Sequence, residues 1–107
     1  MEILDREQVL ENAIDHVFAV EEALEAAFLE ESDAEHDYDI KFAKLYQTLE
    51  GSIPQRENAA KEMLEQEHKR HVHTAARLKF LREKMDNARA VLIARQSLLA
   101  SERKRPV

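Results

Sequence analysis

The stretch LEQEHKRHVHTAARL, Leu64 to Leu78, sets three histidines and two glutamates among leucines spaced for a helix. Two kinds of chemistry fit those residue types. Glu65 and His68 stand three positions apart, so on a helix they share one face and offer a carboxylate oxygen and an imidazole nitrogen to one metal ion, with Glu31 and Glu35 as candidate ligands from the first half of the chain. Glu67 and His71 instead fall where the helix would bury leucine, which predicts a polar layer inside the fold.

The two readings demand different faces, so the elements that position these side chains decide between them. The only glycine, Gly51, lies in EGSIPQRE (Glu50 to Glu57), and the two prolines are Pro54 and Pro106. Gly51 suits the left-handed conformation that ends a helix, Ser52 caps the next one, and Pro54 is tolerated in a first turn whose N–H groups have no helical partner. Apolar residues recur at spacings of three and four on both sides of this turn: Ile3, Leu10, Ala13, Val17, Val20, Leu24 and Ala27, resuming at Tyr38, then Ala60, Leu64, Leu78, Leu81, Met85, Ala88, Leu92 and Leu99. The expected fold is therefore all-α, a long antiparallel two-helix hairpin with a coiled-coil seam. Its first arm covers residues 3–50, the turn 51–53, the second arm 54–102 and a basic tail 103–107, all within a single domain of 107 residues.

Facing residues then have numbers adding to about 105. That register opposes Leu24 to Leu81, Ala27 to Leu78, Val20 to Met85, Val17 to Ala88 and Ala13 to Leu92, each layer apolar, and brings Glu30 near Arg77 and Asp37 near Arg70. At the height where the apolar seam stops, it sets Tyr38 against Glu67, Ala34 against His71 and Glu31 against Thr74. The expected polar layer is thus Glu31, Tyr38, Glu67, His71 and Thr74, with the Tyr38 hydroxyl on Glu67 and His71 on Glu31. Because Glu-x-x-His arises readily in so Glu-rich a chain, and Glu65 and His68 lie beside the seam, the polar layer is preferred to a metal site. The metal alternative, doubled in a dimer, is similar to ferritin-like proteins built from paired hairpins.

Val9, Ile14, Phe18, Ala23 and Phe28 widen the first arm's stripe beyond what one partner helix covers, as Val91 and Leu98 widen the second. Two hairpins joining as a homodimeric four-helix bundle would cover them. The competing expectation is a three-helix monomer, with the first arm broken at the capping-box sequence SDAE, Ser32 to Glu35.

Composition narrows the function classes. Cysteine is absent, which excludes disulfides and thiolate chemistry. No apolar run reaches the roughly 18 residues of a membrane span, and the acidic start MEILDREQ is unlike a signal peptide, so a cytoplasmic protein with no membrane partner is expected. A lone glycine provides no phosphate-binding loop, and neither Ser52, Ser97 nor Ser101 has the spacing of a catalytic triad, so no enzyme and no cofactor are expected. Charge is segregated: residues 1–50 hold 15 acids and 3 bases, residues 51–107 hold 7 acids and 13 bases. Lys69, Arg70, Arg77, Arg82, Lys84 and Arg89, with Phe80 beside them, are candidate contacts for DNA or another acidic partner; neutralisation of the first arm explains the same bases more simply.

The segment KFAKLYQTLEGSIPQRENAAKEM (Lys41 to Met63) resembles a group of short helical proteins from tailed phages and prophages of Gram-positive, especially actinobacterial, hosts, through Phe42, Ala43, Lys44, Glu50, Gly51, Ser52, Arg56 and Ala59. LREKMDNARAVLIARQSLLASE (Leu81 to Glu102) resembles the closing helix of that group. The resemblance implies a protein encoded near recombination or replication genes, in a group whose biochemical role is unassigned, and it carries no catalytic residues; the partner expected in the host cell is a phage or host protein, or DNA. The expected function is a non-enzymatic accessory protein of phage DNA metabolism or host takeover, including mimicry of DNA by the acidic face. A metal-binding hairpin and a structural coiled-coil spacer are the alternatives.

Overall fold

The structure, a computed structural model, describes residues 5–103, the side chain of Arg103 excepted. Ile3 and most of the basic tail lie outside these residues. Three helices follow one another: α1 over Arg6–Thr48, α2 over Ile53–Met63 and α3 over Glu65–Arg103. The all-α helical hairpin expected from the apolar spacing is the fold observed.

Its reversal is built from the residues that announced it. Gly51 takes φ 116°, open to a residue without a Cβ. Ser52 caps α2 reciprocally with Gln55: the Gln55 N–H donates to Ser52 Oγ at 3.4 Å, and the Ser52 N–H donates to Gln55 Oε1 at 3.0 Å. Pro54 sits in the first turn of α2. The Arg56 guanidinium lies over the Tyr46 ring, 4.5 Å from its centroid, and so ties α2 back to α1.

The structure keeps the first arm continuous, as the two-arm hairpin requires, and breaks the second, which was expected to be continuous. α1 runs without interruption through Ser32 to Glu35, so the first arm does not break there. A cap would need non-helical backbone at Ser32, but Ala34 is 2% exposed and holds its seam position only if the helical phase is kept. The break falls instead in the second arm, at Leu64, whose φ −106° and ψ 24° separate α2 from α3. It is a local turn: the Leu64 N–H still donates to Ala60 O, and the His68 N–H to Leu64 O.

The chain divides into two compact units, Met1–Glu25 with Phe80–Val107, and Ala26–Lys79. In the first, the described parts of α1 and α3 enclose Val20, Leu81, Met85 and Ala88, all buried. Arg6 pairs with Glu102 at one end. In the second, Ala27, Ala34, Ala60, Leu64, Thr74 and Leu78 are buried. Here Glu30 meets Arg77 at 3.7 Å, Asp37 meets Arg70 at 3.9 Å and Lys41 meets Glu67 at 3.5 Å. Partner numbers fall on α3 as they rise on α1, so the two helices run antiparallel in the expected register.

Candidate functional site: the polar step between α1 and α3

Within the second unit, the apolar seam gives way to polar residues over about two helical turns. Glu31 and Ala34 come from α1, His71 and Thr74 from α3. His71 Nε2 lies 3.2 Å from Glu31 Oε1, a hydrogen bond in which the Nε2–H donates to the carboxylate. Both side chains are more than two-thirds buried. The Thr74 hydroxyl, in a residue 8% exposed, donates to His71 O at 2.9 Å and so is satisfied within its own helix rather than by Glu31.

One turn further along α1 the partners differ from those expected. The Tyr38 ring lies beside His68, centroids 5.7 Å apart, and beside Phe42 at 6.0 Å. Glu67 meets the Lys41 ammonium, which also contacts Asp37 at 3.2 Å. The hydrogen bond to Asp37, followed by that residue's charge, holds Lys41 above the ordinary lysine range, with Glu67 adding to the effect. Lys41 therefore stays charged, and this contribution is lost only as pH rises above the lysine range. Sequence reasoning missed Lys41 because it counted seam positions, whereas a long flanking side chain reaches across them. A groove of about 300 Å³ opens here between Tyr38, Lys61, Glu65 and His68.

The four residues expected as metal ligands are not brought together. Glu65 pairs with Lys69 one turn along its own helix, at 3.2 Å, and His68 lies against Tyr38. Glu31, Glu35 and His71 form the cluster instead, with one ligand atom from each lying within 4.8 Å of the others. Two glutamates one turn apart on α1 and a histidine on α3 meet there across the hairpin. The signal was legible in the register, which already set His71 toward Glu31; a motif read along one helix obscured it.

Of the candidate acidic-partner contacts, Lys69, Arg70 and Arg77 are engaged by Glu65, Asp37 and Glu30. Arg82, Lys84 and Arg89 make no ion pair among the described residues, and Phe80 is 62% exposed. Among the described residues, no helix is long and apolar enough to cross a membrane. Compared with known proteins, the chain matches no family model, no curated protein and no solved structure.

Proposed function

We propose that this chain is a non-enzymatic interaction protein whose helices present apolar and charged surface to another macromolecule, in the first instance a protein. The observation carrying this reading is the inversion of its large apolar side chains: Phe18, Phe28 and Phe80, three of the four phenylalanines, are each more than half exposed. Scattered exposed apolar residues are ordinary, but aromatic side chains dominate binding at protein interfaces when a partner covers them. The resemblance of Lys41 to Met63 to short phage proteins supports a partner from phage DNA metabolism or host takeover. Cross-linking in phage-infected cells tests this. A defined phage or host protein should be captured by the wild-type chain and lost with Phe28→Ser, Val72→Ser, a variant altered only at exposed positions. Equal capture by both chains would contradict the reading.

DNA as the partner depends on bases left without intramolecular acids. If Arg82, Lys84 and Arg89 contact phosphates, duplex oligonucleotide binding will weaken steeply with salt. Reversing all three to Glu will lower the salt slope by roughly three. Binding that is absent or independent of salt assigns the partner to protein.

The Glu31, Glu35, His71 cluster favours a second reading, a divalent cation joining α1 to α3. Zinc added to the wild-type chain at about a hundred times its dissociation constant would then raise stability by about 2.7 kcal/mol. Glu35→Gln leaves the His71–Glu31 hydrogen bond in place, so it should remove the zinc effect while leaving metal-free stability unchanged. Wild-type melting unaffected by zinc would confine these residues to a structural polar layer.

A further inference from the structure

The groove beside the polar step draws its walls from all three helices. Tyr38 comes from α1, Lys61 from the last turn of α2, and Glu65 and His68 from the start of α3, on either side of the turn at Leu64. All four belong to the second unit. At about 300 Å³ the groove stands at the lower end of the range of small-molecule sites, which set a few polar groups among apolar walls.

Its polar groups are mostly donors without acceptors. Among the described residues, the Tyr38 hydroxyl, the His68 ring nitrogens and the Lys61 ammonium have no hydrogen-bond or ion-pair partner. The Glu65 carboxylate, by contrast, is answered by Lys69 at 3.2 Å. The charge left unanswered at the groove is therefore positive. A hydroxyl, an imidazole N–H and an ammonium can each donate to an oxyanion, and the ammonium adds the charge that strengthens such a bond. This distinguishes the groove from the Glu31, Glu35, His71 cluster, whose acids suit a cation.

One wall is aromatic. The Tyr38 ring has Phe42 and His68 as neighbours, with centroids at 6.0 and 5.7 Å, and is tilted 52° to the imidazole. Tyr38 is only half-buried, and its open part lines the groove. Aromatic rings associate in tilted or offset arrangements at centroid distances of about 4.5–7 Å, so a further ring can join this series. A ligand with a flat aromatic body and one carboxylate uses both the ring wall and the free ammonium.

We infer that this groove binds a small aromatic carboxylate, its ring against Tyr38 and His68 and its carboxylate on the Lys61 ammonium. The site goes beyond the proposed docking surface and shares no residue with Phe28 or Val72, so the two readings fail separately. Naphthoate added to the full, isotope-labelled chain should shift the amide NMR signals of Tyr38 and of residues 61–68 saturably. A dissociation constant on the order of 1 mM is expected for so small a ligand. Naphthylmethylammonium, which reverses the charge, should bind about tenfold more weakly, and decahydronaphthoate, which keeps the skeleton without the aromatic ring, about threefold more weakly. Lys61→Glu changes an exposed position; it should keep the helical circular dichroism and weaken naphthoate binding by roughly tenfold, while Lys61→Arg retains it. No saturable shift up to about 10 mM, shifts centred elsewhere in the chain, equal binding of the three probes, or undiminished binding to Lys61→Glu would each overturn the inference.

Discussion

Replacing Met85 by Asp should lower the midpoint of thermal unfolding by roughly 15 °C or more, with one kcal/mol shifting a domain of this size by about 4–8 °C. Met85 is 2% exposed, in the unit that also buries Val20, Leu81 and Ala88. An aspartate there is taken out of water among apolar side chains, and a buried charge left unpaired costs about 3–5 kcal/mol. The whole stability of a small domain is about 5–15 kcal/mol, so this one change removes a large fraction of it. Ile93→Asp provides the control: Ile93 lies on the same helix but is 62% exposed, and its replacement should cost within about 0.5 kcal/mol. Thermal melts followed by circular dichroism compare the two variants. Equal midpoints would mean that Met85 does not line the core.

The second large effect is expected at the turn. Gly51 has φ 116°, and a Cβ added there would stand 2.7 Å from Gln55 Oε1. The oxygen belongs to a flexible side chain and can retreat, but it accepts the Ser52 N–H, so moving it opens the reciprocal cap. Gly51→Ala thus combines backbone strain of about 1–3 kcal/mol with part of a cap worth about 0.5–2 kcal/mol. Ser52→Ala loses cap energy alone. Because both changes draw on one cap, Gly51→Ala, Ser52→Ala should destabilise less than the two single variants added together. Urea titrations of all four chains measure this; strict additivity would show that Gly51 and the cap are independent.

How far the sequence foretold these features depends on the range of the interaction concerned. The turn was legible because Gly51, Ser52 and Pro54 each have a local backbone reason to stand where they do. The seam was legible because burial repeats with the helical period, and antiparallel pairing then follows from a single reversal. Continuity through Ser32 followed from the seam: the capping-box pattern that offered a competing break is local, and burial of Ala34 overrides it. The turn at Leu64 carried no glycine or proline signal, and it leaves flanking helical hydrogen bonds intact. In the polar step, the register brought His71 to Glu31, but it could not resolve which of several long side chains would reach Glu67. That choice depends on rotamers and on Lys41 bridging Asp37 and Glu67, neither of which is encoded in seam spacing.

The central claim is that the chain reverses at Gly51 so that α1 and α3 pair within one molecule. With no native cysteine, spin labels can be placed singly at two introduced cysteines, Glu21→Cys on α1 and Arg82→Cys on α3, both exposed and both in the first unit. Helix axes about 8–10 Å apart predict an interspin distance of roughly 10–25 Å, allowing for the label arms, that persists when the labelled chain is diluted into a large excess of unlabelled chain. An uninterrupted helix would separate the sites by about 90 Å. A distance of that order, or a short distance that vanishes on dilution, would contradict the intramolecular hairpin.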